Sequence, residues 1–273
     1  MIFSTANSFR YALLATITIV ATLPGVVLSA TIDGGRPTVL VTGANRGIGL
    51  ALVEHYVAAE WNVIATARTP GSATELHTLA EVYEHLLIEQ LDVTDNPRIA
   101  ALANAYRDTP IDVLINNAGV YGDVETQSWG SLEASTFNEV FAVNVLAPMK
   151  MAEGFADQIA ASDQKKIVSI TSGAGSVSRE GFPGGGMFYG VSKAALNMAM
   201  RQVRAELKDR DVVVAAIAPG LVATDMLAIA RPASVSRAQT PAQSAAGIAA
   251  VIEGLEESYD GRPLNYDGSV MSW

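Results

Sequence analysis

Pro37-Thr38-Val39-Leu40-Val41-Thr42-Gly43-Ala44-Asn45-Arg46-Gly47-Ile48-Gly49 runs from a short apolar, β-branched stretch into a glycine-rich turn and on into helical spacing from Ile48 to Ala59. A buried strand that feeds a glycine turn and then a helix is the opening of a βα unit. Glycines there let the chain turn tightly. They also let the backbone approach a pyrophosphate at the positive N-terminal end of the helix. The spacing is G-x-x-x-G-x-G, not G-x-G-x-x-G. A plain strand-to-helix turn could carry the same glycines. Their place directly after the first apolar strand favours nucleotide binding, by Thr42, Gly43, Asn45, Arg46, Gly47, Ile48 and Gly49.

Outward from this turn, strand runs alternate with helical ones. Strands are expected at Asn62–Ala67, His85–Leu91, Ile111–Ile115, Lys166–Thr171 and Val212–Ala218, with a last short one at Arg262–Tyr266. Helices are expected at Thr74–Tyr83, Pro97–Arg107, Ser135–Ala161, Tyr189–Lys208 and Thr240–Leu255, the third kinked at Pro148. Such alternation means a parallel sheet covered on both faces. The expected fold is α/β, a single-domain, Rossmann-like, doubly wound parallel sheet over residues 36–273.

Composition narrows the function. The 273 residues are 49% hydrophobic and 17% charged, enough for a large core. The net charge of −10 argues against nucleic acid as a partner. No cysteine is present, and His55, His77 and His85 stand at no metal-ligand spacing, so no metal site is expected. The N-terminus reads separately. An uncharged start, Arg10, an apolar run from Tyr11 to Leu23, a Pro24-Gly25 break and small residues at Ser29-Ala30 follow the order of a secretory signal peptide over residues 1–30. A membrane anchor is the rival reading, weakened by Pro24-Gly25. A mis-chosen start codon, which would leave the protein cytoplasmic, is the third. Export to a periplasm or secretion is the preferred expectation.

Further motifs sit at strand ends. After the second strand, where NAD-specific sites place an acid, the run is Ala65-Thr66-Ala67-Arg68. Arg68 and Arg46 could instead pair with a 2′-phosphate, which points to NADP(H) ahead of NAD(H). Either arginine alone would pass as a surface charge. Asp92-Val93 ends the third strand, suited to an adenine amino group or to capping the next helix, a task Asp95 or Asn96 could share. Asn116-Asn117-Ala118-Gly119 ends the fourth, suggesting backbone held close to a ligand. Tyr189 and Lys193, at i and i+4, share a helix face. An ammonium beside a phenol lowers its pKa toward use as an acid-base group, although the pair alone would pass as a surface coincidence.

Taken in order, Thr42-Gly43-x-x-x-Gly47-Ile48-Gly49, Asn116-Asn117-Ala118-Gly119, a serine after the fifth strand, Tyr189-x-x-x-Lys193 and Pro219-Gly220 resemble the short-chain dehydrogenase/reductase family. The tail Gly261-Arg262-Pro263-Leu264-Asn265-Tyr266-Asp267-Gly268 is similar to that of its C-factor and sniffer-type carbonyl reductases. The resemblance implies an NADP(H)-dependent hydride transfer to a carbonyl, or from the matching alcohol. Tyr189 would be the proton donor. Lys193 would lower its pKa and hold the nicotinamide ribose, Asn144 would hold a relay water, and a serine would bond the carbonyl oxygen. Asn117, Ala118, Gly119, Pro219, Gly220, Val222 and Thr224 would lie along the cofactor. Ser172 precedes Tyr189 by 17 residues and Ser176 by 13. The spacing usual in the family favours Ser176, but strand register favours Ser172, and the Ser178–Gly186 loop can absorb the difference.

An apolar small-molecule carbonyl or alcohol is the expected substrate, in a pocket formed by residues 178–188 and 224–239. The resemblance also implies a homodimer or homotetramer through the two long helices. A nucleotide-binding sensor on the same fold, with little turnover, is the alternative function. An exported chain would meet little reduced cofactor, which lends that alternative weight. The set Asn144, Ser172, Tyr189 and Lys193 weighs against it.

Overall fold

The apolar runs pair side by side, all in parallel. In the computed structural model, which describes residues 32–178 and 186–272, the chain begins β1 (Thr38–Val41), α1 (Gly47–Ala58), β2 (Asn62–Ala67), α2 (Thr74–Ala80), β3 (Leu86–Gln90) and α3 (Asn96–Ala105). It continues β4 (Val113–Asn116), α4 (Ala134–Phe141), α5 (Ala147–Gly154), α6 (Ala156–Ala160), β5 (Lys166–Ile170) and α7 (Met187–Glu206). β6 (Val213–Ala218), α8 (Asp225–Ala230), α9 (Pro241–Glu253) and β7 (Leu264–Asn265) complete it. The strand order is β3-β2-β1-β4-β5-β6-β7. The N-terminal signal or anchor segment and residues 179–185, most of the loop expected after Ser178 and of the first expected pocket segment, lie outside the described residues. No helix among the described residues is long and apolar enough to cross a membrane.

Successive side chains of a strand point to opposite faces, so every second residue belongs to a different core. Val39 and Val41 of β1, Val113 and Ile115 of β4, and Val213, Ala215 and Ile217 of β6 pack with Leu52 and Tyr56 of α1 and Ile248 and Ile252 of α9. The intervening Leu40, Leu114 and Val214 face Leu102 of α3, Met151 of α5, Ile159 of α6 and Leu196 of α7. Each such large side chain contributes about 1.5–3 kcal/mol by leaving water. This two-sided burial explains why the strands read as continuous apolar runs.

The chain winds outward from β1 in one direction and from β4 in the other, so the loops after these two neighbours part and leave a crevice at their C-terminal ends. The Thr42–Gly49 turn and the Asn117–Gly119 segment stand on its two sides.

Three expected elements differ. Ser135–Ala161 is not one helix kinked at Pro148. A π turn at Ala142–Leu146 separates α4 from α5, and Phe155 (φ −106°, ψ 10°) separates α5 from α6. Pro148 has no N–H to donate to the Asn144 carbonyl, and the widened turn lies just ahead of it. Phe155 is fully buried, so the chain bends where its ring enters the core. The last strand shrinks to Leu264–Asn265, and α2 stops at Ala80.

Candidate active site

The glycine turn is held from behind by the loop after β4. Asn117 Nδ2 donates to the carbonyls of Thr42 (2.9 Å) and Gly43 (3.0 Å). The Thr42 hydroxyl accepts from the backbone N–H groups of Asn117 (3.0 Å) and Ala118 (3.1 Å). Thr42 and Asn117 therefore spend their side chains on the turn itself. Gly43 (φ +63°) sits so close to Ala118 that a Cβ would stand 2.9 Å from its Cα. Gly47, which opens α1, also has positive φ (+58°), and Gly49 in the same turn has Gly43 O against it. The first turn of α1 carries no acidic residue, and its N-cap, Arg46, supplies no side-chain bond, so its N–H groups face the crevice without an internal anion.

On the far side, Asn144 is buried in the π turn. Its Oδ1 accepts from Val120 N (2.9 Å), and its Nδ2 donates to Val120 O (2.9 Å) and Ser192 Oγ (3.0 Å). A Cβ on Gly119 would lie 3.3 Å from Asn144 Oδ1 and 3.7 Å from Lys193 Nζ, so bare backbone lets these elements meet. Lys193 Nζ donates to Ile170 O at 2.8 Å and lies 5.7 Å from the centre of the Tyr189 ring. Burial pushes the Lys193 ammonium down to about 8. Burial also holds the Tyr189 phenol above the usual tyrosine range, with Ser172 pulling it down by hydrogen bonding and Arg231 by charge. The expected pull of Lys193 on Tyr189 is absent: the groups that act on the buried phenol are Ser172, Tyr121 and Arg231. The lysine is itself desolvated and aimed at a carbonyl, and burial dominates the phenol.

Ser172 begins a single 3₁₀ turn, Gly173–Gly175, its Oγ accepting from Ala174 N (3.2 Å). Gly175 lies flat on α7, where a Cβ would stand 2.6 Å from the carbonyl carbon of Lys193. Both serines line the same cleft; Ser172 is the one that lowers the Tyr189 phenol, whereas Ser176 pairs its hydroxyl with Ser178 (3.1 Å).

The remaining sequence-chosen residues ring the crevice. Arg46 forms an exposed ion pair with Asp225 of α8 (3.1 Å), and Arg68 is exposed beside Asp92. The Asp92 carboxylate accepts from Thr94 N (2.9 Å) and Oγ1 (2.7 Å), bonds that hold it below the usual carboxylate range. Capping of α3 falls to Asp95, which accepts from Arg98 N (3.0 Å). Val93 is buried. Pro219 O accepts from Gln239 Nε2 and Ser244 Oγ, each at 2.8 Å. Gly220 takes a positive φ (+79°) against Tyr266. Val222 bridges to Gln239, and Thr224 caps α8 through Leu227 N (3.3 Å). Ile48, Ser172, Tyr189, Pro219, Gly220, Val222 and Thr224 line one cleft of about 680 Å³. The sequence profile of the family described as short chain dehydrogenase matches residues 37–234.

The chain belongs to the short-chain dehydrogenase family. An uncharacterised oxidoreductase of Schizosaccharomyces pombe is 32% identical over 247 residues, 85% of this chain and 96% of that relative. The NADPH-bound carbonyl reductase from chicken fatty liver superposes with a TM-score of 0.79 at 33% identity, over 87% of this chain and all of its own. The carbonyl reductase Sniffer of D. melanogaster does so with a TM-score of 0.78 at 25% identity, over 87% of this chain and all of its own. This short-chain dehydrogenase thus resembles the sniffer-type carbonyl reductases in length and architecture, as the tail suggested.

Tyr121 and Arg231 line the cleft; neither was named from the sequence, although Arg231 falls within the 224–239 segment expected to form the pocket. The Tyr121 ring lies 4.8 Å from that of Tyr189, tilted by 32°. Its place two residues after Asn116-Asn117-Ala118-Gly119 was the one available hint. Arg231 lay within the expected pocket segment, but its approach to Tyr189 depends on how α8 folds over the crevice.

Proposed function

We propose that this short-chain dehydrogenase is an NADP(H)-dependent carbonyl reductase, or runs the reverse alcohol oxidation, with Tyr189 as the proton-transferring residue. The observation that carries this reading is the meeting of Ser172, Tyr189, Asn144 and Lys193 at the end of a crevice whose other side is the uncapped N-terminus of α1.

The residues present fit the dinucleotide. Gly43 and Gly47 keep the turn free of side chains, and the first-turn N–H groups of α1 suit a pyrophosphate. Arg46 and Arg68 would flank a 2′-phosphate, Arg46 by exchanging Asp225, since an exposed ion pair holds it by only about 0–1 kcal/mol. The likeness to an NADPH-bound carbonyl reductase supports the same choice. Asp92 and Val93 would meet the adenine, Asn117 to Gly119 the adjoining ribose, and Pro219, Gly220, Val222 and Thr224 the nicotinamide. When bound, the nicotinamide supplies the hydride for reduction, or takes it in oxidation.

Ser172 would donate to the substrate carbonyl oxygen and hold it against Tyr189 Oη. As the carbonyl carbon becomes tetrahedral, the Tyr189 proton moves to that oxygen and leaves a phenolate. Lys193 Nζ would stabilise the phenolate and return a proton to it. The Asn144 side chain is already engaged, so a water of the relay would rest on its main-chain carbonyl, to which Pro148 cannot donate. Met187, Met226, Leu227 and Ala230 in the cleft wall suit an apolar substrate. Exposed Phe137, Val191 and Met198 on α4 and α7 suit a second copy of the chain.

The test is oxidation of NADPH with a panel of aldehydes, ketones and quinones, wild type against Tyr189→Phe. Loss of about 10²–10⁴-fold in kcat is expected, with NADPH bound as tightly as before. Equal rates for the two proteins would refute the assignment.

A further inference from the structure

The helix that carries Tyr189 and Lys193 starts without a cap of its own. Its N-cap is Gly186, in the left-handed region (φ +82°), with no side chain to offer the first-turn N–H groups. Gly190 is the residue whose N–H returns to Gly186 O (2.9 Å), so the Tyr189 N–H, one position earlier, needs an acceptor from elsewhere. Gln127 supplies it: its Oε1 accepts from Tyr189 N at 3.2 Å, across 62 residues of sequence.

The same amide works in the other direction. Gln127 Nε2 donates to the backbone carbonyl of Tyr121 at 2.8 Å, and the Tyr121 ring lies against that of Tyr189. Gln127 is fully buried. A Cβ on Gly122 would come within 3.0 Å of its Nε2 and 2.6 Å of Val140 Cγ2, so the amide is packed as well as bonded. A Cβ on Gly186 would collide with the Tyr121 hydroxyl, so the start of α7 is fitted to Tyr121 too.

We propose that Gln127 is a positioning residue for Tyr189: it caps α7 from outside the helix and locks the helix's first turn to Tyr121 in the cleft wall. This rests on the reading of Tyr189 as the proton-transferring group. A local shift of that first turn moves the phenol relative to Ser172, which together with Arg231 pulls its pKa down. The link therefore sets both the distance and the acidity of the phenol.

The test is Gln127→Met, which keeps side-chain length and removes both hydrogen bonds. Three results are expected. The Tyr189 amide exchanges with deuterium about tenfold faster, while amides beyond Ala194 keep their protection. kcat falls about tenfold, with KM for NADPH within about twofold. The pH of half-maximal alcohol oxidation rises, because a phenol without Ser172 ionises later. Unchanged amide exchange overturns the cap. Faster exchange with kcat and pH profile unchanged overturns the positioning role, because a purely structural cap would do just that. Wild type without turnover overturns the oxidoreductase reading instead, and the exchange measurement still judges the cap. Should Gln127→Met fail to fold, Gln127→Glu keeps the acceptor alone. Wild-type protection of the Tyr189 amide is then expected, and its loss overturns the proposal.

Discussion

Replacing Gly49 by Ala adds one carbon at the tightest point of the glycine turn. That Cβ would stand 2.3 Å from Gly43 O, 2.5 Å from Asn117 Nδ2 and 3.1 Å from Ala44 Cα. Gly43 has no room to retreat, since Ala118 presses on it from the other side. The Asn117 amide must therefore give way, and with it go its bonds to Thr42 O and Gly43 O. Two lost hydrogen bonds cost about 2 kcal/mol together, and overpacking adds about 1–3 kcal/mol. Better helix propensity returns about 1 kcal/mol. The net expectation is a loss of about 2–4 kcal/mol, or about 5–15 °C in Tm for a domain of this size. Thermal unfolding followed by circular dichroism measures it, with Gly71→Ala as the control, because nothing lies within 4 Å of a Cβ there. A Gly49→Ala protein that melts within about 2 °C of wild type would refute the steric argument and the role given to Asn117.

Two further outcomes follow from the same geometry. Lys193, depressed by burial to about 8, is charged more readily in the unfolded chain than in the folded one. The unfolded state thus binds more protons between that value and the ordinary lysine range, and wild type gains stability as pH rises through this window. Lys193→Met removes the linkage. Denaturant titrations at pH 7 and at pH 9.5 should show wild type improving relative to the variant by about 2 kcal/mol, and a constant difference would contradict the buried charge. Asp95→Ala, which removes the cap of α3, should cost about 1 kcal/mol in the same titration, whereas Asp92→Ala should leave α3 intact.

Much of this architecture was legible because it is local. Val39, Leu40 and Val41 are apolar in succession because both sheet faces are covered, and the glycines stand where a strand must turn into a helix. Strand register also put Ser172 at the end of β5, where it lines the cleft together with Tyr189. What was not legible shares a cause. The sequence could not show that the Asn117 amide also holds Thr42 and Gly43, because it does not reveal which carbonyls an amide meets. The Tyr189–Lys193 pair predicted a lowered phenol pKa, since helix spacing shows proximity and not how deeply either group is desolvated.

The doubly wound sheet, the glycine turn and the order of Asn144, Ser172, Tyr189 and Lys193 follow from the amino-acid chain alone. Strand and helix periodicity and backbone freedom are properties of neighbouring residues. Folding in three dimensions is what brings the Gln127 amide to the Tyr189 N–H, carries Arg46 to Asp225 across 179 residues, and opens the long helix at Asn144. These depend on which side chains close packing leaves facing one another, and no spacing along the chain encodes that.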